Sequence, residues 1–148
     1  MHWLNDRLEI LHRLLERQHE YEQLAKKKVT GADEGRKQTR DDFLAEIKDV
    51  VKAIAKKDGV IAAFSCHEGL LIEQAGHARN FEALAAVGQR LVYNGRSASK
   101  NLRYGPLMQM VVVGESTKLA IFVMGEVEIG VEAGRDVNLT KSLGQAEP

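Results

Sequence analysis

The chain has 148 residues, 44% of them hydrophobic, and its 21 basic and 21 acidic side chains give a formal net charge of zero. This length predicts one domain with room for an appendage, and the balanced charge is untypical of a protein that binds nucleic acid or an anionic membrane. The single cysteine, Cys66, excludes an internal disulfide framework, the longest apolar run is too short to span a bilayer, and the first residues lack a signal-peptide pattern. We therefore expect a cytoplasmic protein that binds neither nucleic acid nor membrane.

Residues 4 to about 25 are predicted to form an amphipathic helix. Leucines recur there at steps of four and three residues, which is the spacing of a coiled-coil seam. The seam consists of Leu4, Leu8, Leu11 and Leu15. Because such a helix is marginal alone in water, it needs a partner surface. It can pair with its own copy, lie on its own domain or dock on another protein, and the sequence leaves these alternatives open.

A charged segment with two glycines, residues 26–38, predicts a solvated linker. Thr39 is the expected N-cap of the next helix, with Asp42 as a weak capping-box partner. Apolar residues then recur at helical spacing until Gly59, where the helix is expected to stop. These boundaries divide the chain into an N-terminal helix with its linker, residues 1–38, and a main domain, residues 39–148.

Strands dominate the rest of the chain. The five predicted strands cover residues 60–65, 70–74, 107–113, 118–124 and 127–133. His67-Glu68-Gly69 is a hairpin-sized loop between the first two, and Asn80 is predicted to cap a helix between the second and the third. In the last strand Glu128 and Glu132 alternate with apolar residues, so one face should be wet. The order predicts an α+β fold in which a hairpin and a three-stranded meander form a five-stranded antiparallel sheet.

Five segments carry a family resemblance. They are the helix that begins the main domain, Gly59-Val60 with the strand that follows, Glu68 to Ile72, Phe81 to Ala86 and Gly105 to Val111. In their order and spacing they resemble the Roadblock (dynein light chain) family, and the match runs from Phe43 to about Leu143. The resemblance implies a sheet order of 2-1-5-4-3, with the long second helix on one face and the terminal helices on the other. It also implies a non-catalytic regulator or scaffold for small GTPases and motor complexes, which dimerises through the third strand and the second helix.

Two features depart from the family pattern. The N-terminal helical extension lies outside the family's core. The last helix is short, and Glu128 and Glu132 suggest that the face it normally covers is partly open.

The segment Leu107 to Val113 predicts self-association without reference to the family. It should be an edge strand, yet Gln109 is its only polar residue, and an uncovered apolar edge is a template for pairing with another chain. Small residues in the preceding helix, including Gly88 and Gly95, either admit a second helix or bring this helix close to its own sheet. The predicted dimer or partner interface consists of Leu84, Ala85, Gly88, Leu91, Gly95, Leu107, Met108, Met110 and Val112.

No motif predicts catalysis or a bound group. Cys66 and His67 are neighbours on a strand, so they point to opposite faces and cannot act together as nucleophile and base. His12, Glu16 and His19 share a helix face that could hold zinc, but no fourth ligand is evident. The segment from Gly95 to Asn101 lacks the Gly-Lys-Ser/Thr ending of a phosphate loop. We assign no catalytic, cofactor-binding or metal-binding residue and expect no cofactor.

The sequence therefore predicts a dimeric regulatory or scaffold protein that binds a small Ras-like GTPase and modulates its activity or localisation. The alternative is an adaptor subunit of a motor or cytoskeletal complex that uses the N-terminal helix as a coiled coil. The identity of the partner, and whether a paralogue replaces the second copy, stay open.

Overall fold

The structure, a computed structural model, describes residues 2–144. The elements in chain order are α1 (His2–Lys26), α2 (Ala32–Ala55), β1 (Val60–His67), β2 (Leu70–Gly76), α3 (Phe81–Asn101), β3 (Gln109–Val113), β4 (Thr117–Met124), β5 (Val127–Gly134) and α4 (Leu139–Ser142). The last residues of the predicted domain, 145–148, lie outside the described range. Within that range no helix is both long and apolar enough to cross a membrane.

The five strands form one antiparallel sheet in the order β2-β1-β5-β4-β3. This confirms the predicted α+β class and the strand order that the resemblance implies. The central strands β1 and β5 pair so that His67 lies opposite Val127, which brings the β1–β2 and β4–β5 turns to the same end of the sheet. Strand β3 pairs only with β4 and is therefore an edge strand.

The second helix begins earlier than the sequence predicts. It starts at Ala32, after Gly31 with its positive φ of 82°, so Thr39 lies buried inside the helix and its prediction as an N-cap is wrong. Gly35 is a packing residue and not a linker residue, because a Cβ there would lie 2.7 Å from Cδ1 of Tyr21 in α1. Much of the predicted linker is thus the first turns of α2.

Helix α1 packs on the chain's own domain. Leu4 and Leu11 are fully buried and belong to the same hydrophobic core as the sheet, while Leu8 and Leu15 pack partly buried against it. The amide of Leu4 donates a hydrogen bond of 3.1 Å to the carbonyl of Leu143. Of the alternatives that the sequence leaves open for this helix, the structure shows the intramolecular one.

The two faces of the sheet are covered differently. Helices α1, α2 and α4 contribute to the larger core, together with alternate β5 residues such as Ile129 and Val131. Helix α3 covers the other face, where Phe64 and Cys66 are buried. Since side chains alternate along a strand, Glu128 points toward α3, and it is only 4% exposed. The expectation that it marks an open face under the last helix is wrong, because its burial is supplied by α3.

Candidate functional site

Strand β3 is largely apolar and mostly exposed, although Met110 is half-buried and lies beside Gly95 of α3. Met108 just before it is 72% exposed, Val113 is 60% exposed and Val112 is 44% exposed. Met110 and Val112 lie opposite Ile121 and Leu119, whereas Val111 lies opposite Ala120 on the other face of the sheet. Scattered exposed apolar residues are normal, but a contiguous apolar strand at a sheet edge is a binding surface or an aggregation hazard.

The backbone of β3 carries unpaired groups along its outer side. The carbonyl of Met108 accepts from the amide of Val123 at 3.0 Å, and the amide of Gly114 donates to the carbonyl of Thr117 at 2.8 Å. In an antiparallel pair, residues that bond to the neighbouring strand alternate with residues that face away from it. The even-numbered residues therefore bond to β4, and residues 109, 111 and 113 turn their amides and carbonyls to the free edge.

One flank of α3 continues this apolar surface. The helix is capped by Asn80, whose side chain accepts from the amide of Ala83 at 3.0 Å, and it runs without a break through Asn94-Gly95 to Asn101. At 3.6 residues per turn, one stripe of apolar residues lies between its buried face and solvent. The stripe consists of Leu84, Val87, Leu91, Ala98 and Leu102. Leu84 packs in the same cluster as Leu119 of β4, and Gly95 on the same side of α3 lies against Leu107 and Met110, so the stripe lies on the β3 side of the helix. We call β3, the preceding residues Leu107 and Met108, and this stripe the edge surface.

The structure separates the predicted interface residues into two groups. Ala85, Gly88 and Gly95 are buried and face the chain's own sheet. A Cβ at Gly95 would lie 2.9 Å from Cδ2 of Leu107, so this glycine permits a close approach of helix and sheet. The remaining predicted residues, Leu84, Leu91, Leu107, Met108, Met110 and Val112, are partly buried or exposed on the edge surface.

Six residues of the edge surface are missing from the sequence prediction as individual sites. Val87, Ala98 and Leu102 extend the apolar stripe of α3, and Gln109, Val111 and Val113 lie in β3. The spacing of three and four residues from Leu84 to Leu91 contained the signal for Val87. The small residues of the same helix indicate a different face, which is the one buried against the sheet.

Cys66 and Glu128 form a buried pair under α3. The Cys66 thiol donates a hydrogen bond of 3.3 Å to Oε2 of Glu128. Burial, with the nearby Glu128 charge and the hydrogen bond adding to it, raises the pKa of Cys66 to about 12. Burial also raises the pKa of Glu128, although the Cys66 hydrogen bond and the charges of Arg96 and His67 oppose this. Because a thiol must ionise to be a nucleophile, Cys66 is a core residue in this setting.

The other motifs singled out in the sequence have structural roles. His12 Nε2 lies 3.0 Å from Oε1 of Glu16 on α1, where both side chains are more than half exposed. Gly95 to Asn101 is the last part of α3 and not a loop, so it forms no phosphate cradle. Gly130 is a point of close approach, because a Cβ there would lie 2.8 Å from Cε2 of the Phe64 ring.

The fold has counterparts among solved structures. A Roadblock/LC7 domain from Streptomyces avermitilis is 25% identical, with a TM-score of 0.56, over 62% of this chain and 79% of that one. Myxococcus xanthus MglB is 18% identical over 68% of this chain and 77% of its own, with a TM-score of 0.61. The gliding protein MglB of Thermus thermophilus is 16% identical over 67% of this chain and 76% of its own, with a TM-score of 0.56.

These structures confirm the resemblance seen in the sequence. The chain has a Roadblock-like fold preceded by a helical extension, and its sheet order is the one that the resemblance implies. No family model and no curated protein matches the chain.

Proposed function

We propose that the protein is a non-catalytic regulator or scaffold that forms a homodimer through the edge surface and binds a small Ras-like GTPase. The observation that carries the proposal is the apolar edge strand β3, with the adjoining stripe of α3. A second copy placed against it across a two-fold axis extends the sheet and buries both features at once. The Roadblock-type fold supports a GTPase as the partner, since the resemblance implies this class of function.

The absence of a reactive thiol supports a role in binding. Cys66, with its pKa raised to about 12, stays protonated near neutral pH. Its neighbour His67 pairs with Glu126 at 3.1 Å at the end of the sheet, not with the thiol. Any effect on GTP hydrolysis would then come from ordering the partner's switch loops, without chemistry supplied by this chain.

The adaptor alternative depends on α1 as a coiled coil. Leu4 and Leu11 of the predicted seam are fully buried inside the domain, so that face of the helix is occupied. A partner could reach only the outer face of α1, where Ile10 and Leu24 are exposed. This arrangement favours the domain surface over the helix as the site of partner binding.

A binding titration tests the proposal and separates it from the alternative. Purified small Ras-like GTPases from the same genome are loaded with GDP or with a non-hydrolysable GTP analogue and titrated with the full chain by calorimetry. Saturable binding that prefers one nucleotide state supports the proposal. It should persist in the double variant Ile10→Lys/Leu24→Lys, which leaves the buried face of α1 intact. The proposal is contradicted if the chain binds neither the GDP-loaded nor the analogue-loaded GTPase, or if binding is lost in that variant. Deleting α1 is a poorer test, because it would uncover the core around Leu4 and Leu11.

A further inference from the structure

Two turns meet at one end of the sheet and bring three potential metal ligands together. His67 ends β1, Glu68 follows it in the β1–β2 turn, and Glu126 lies in the β4–β5 turn. The two turns are adjacent because β1 and β5 pair in antiparallel register, with His67 opposite Val127. One ligand atom from each of the three side chains lies within 4.8 Å of the other two. This cluster is separate from the edge surface and plays no part in the proposed dimer.

Two of these ligand atoms are now joined by a hydrogen bond, since His67 Nε2 and Glu126 Oε2 are 3.1 Å apart. Metal–ligand bonds of about 2.0–2.2 Å in a tetrahedral zinc site place neighbouring ligand atoms about 3.3–3.6 Å apart, so a metal would replace this bond after a shift of a few tenths of an ångström. Glu68 and Glu126 are both exposed, so their carboxylates can move by the small distance that closes the triangle. The backbone needs no rearrangement, because both turns are held by the β1–β5 ladder.

Charges of both signs surround the cluster. Glu68 and Glu126 line a cavity with the buried Glu128, while Arg96 and Arg90 line it from α3. Arg96 donates to the carbonyl of Gly125, next to Glu126, and so offsets part of the carboxylate charge. Two carboxylates held within 4.8 Å of each other repel, and a cation bound between them relieves that repulsion.

We propose that His67, Glu68 and Glu126 bind a divalent transition-metal cation such as zinc, with water in the remaining position. One imidazole and two carboxylates form a nitrogen–oxygen ligand set that zinc accepts. A metal ion bound by these three side chains would link the two turns, and its remaining coordination position would be open to solvent. This site differs in its ligands from the set His12, Glu16 and His19 that the sequence suggests. Those residues lie on α1, where His12 is paired with Glu16, but they line one cavity together with His67 and Glu126.

The test uses the full chain without a histidine tag, stripped with a chelator and titrated with zinc chloride by calorimetry. We expect one zinc ion per chain, and an increase in melting temperature on binding. His67→Asn and Glu126→Gln should each weaken zinc binding about tenfold or more. His77→Asn is the matched control, since His77 is an exposed histidine at the opposite end of the same hairpin, and it should bind zinc like the unaltered protein.

A cobalt titration gives a second readout. Loss of an imidazole ligand in His67→Asn should change the visible absorption spectrum of bound cobalt, whereas a purely electrostatic site would leave the spectrum unchanged. The proposal is overturned if the stripped chain binds no zinc stoichiometrically. It is equally overturned if binding survives His67→Asn and is lost instead in the double variant His12→Asn/His19→Asn. The metal-free variants should melt like the metal-free unaltered chain, because the altered side chains are not part of the core.

Discussion

The substitution Val111→Pro should dissociate the dimer while leaving the domain folded. Val111 is the central residue of β3, and its amide points to the free edge and not to β4. Proline lacks an amide hydrogen and is tolerated on edge strands for that reason. It also favours an extended conformation in the preceding residue, which a strand already provides. The internal β3–β4 ladder therefore survives the change.

The magnitude follows from the hydrogen bonds that a two-fold pair of β3 strands would make. With Val111 at the centre, each copy donates its Val111 amide to the Val111 carbonyl of the other. A net value of about 0.5–1.5 kcal/mol per bond, with a further penalty for each orphaned carbonyl, puts the loss for the pair at about 2–4 kcal/mol. At about 1.4 kcal/mol per decade, the dimer Kd should rise between about 30-fold and 1,000-fold.

Sedimentation velocity over a concentration series measures this change, and circular dichroism with thermal melting checks the fold. Val111→Thr is the matched control, since it keeps the amide and the β-branched shape, and it should dimerise nearly like the unaltered chain. A Val111→Pro protein that is folded and has a dimer Kd within threefold of the unaltered chain would refute the reasoning. Gly88→Arg is less informative, because Gly88 is buried against its own sheet and the change would disrupt the fold itself.

Three further predictions concern the interior. Leu11→Ala should lower the free energy of unfolding by about 2–5 kcal/mol in urea titrations, because Leu11 is fully buried. The control Ile10→Ala, at an exposed position, should lower it by less than about 1 kcal/mol. Equal effects of the two substitutions would contradict the packing of α1 on the domain. Gly130→Ala should cost about 1–3 kcal/mol by crowding the Phe64 ring, and an unchanged melting temperature would show that the ring moves freely. The pKa of Glu128 is raised in the folded protein from its ordinary value of 4.5, so the folded state holds this proton more tightly than the unfolded chain does. The free energy of unfolding should therefore fall as pH rises from about 4.5 through the raised pKa. Glu128→Gln should abolish this loss in urea titrations at several pH values, and a parallel pH profile for both proteins would contradict it.

The fold was largely predictable because its signals are local. Apolar runs, turn residues and the Asn80 cap specify the strands and α3, and the alternation in β5 specifies which of its side chains share a face. What alternation cannot say is which helix covers a face. Glu128 therefore looked solvent-exposed in the sequence, whereas α3 buries it.

The errors near the N-terminus have a related cause. Gly31 and Gly35 among many charges resemble a linker, but the contact that uses Gly35 comes from Tyr21 in a different helix. In the same way, a leucine seam has one spacing whether it faces a second chain or its own domain. Only the tertiary contacts of Leu4 and Leu11 distinguish these cases.

The two candidate sites also differ in whether local sequence signals or tertiary contacts define them. The edge strand could be predicted because strand order and an apolar pattern are both readable in the chain. The cluster of His67, Glu68 and Glu126 could not, since it joins residues from two turns through the β1–β5 register.

Amide hydrogen exchange along β3 tests the central claim most directly. The edge surface is proposed as the dimer interface, so the amides of residues 109, 111 and 113 should exchange slowly at high protein concentration. They should exchange faster on dilution, as the dimer dissociates, while the β4-bonded amides of Met110 and Val112 stay protected throughout. Rapid exchange of the three outward amides at every concentration, in a folded protein, would contradict the account.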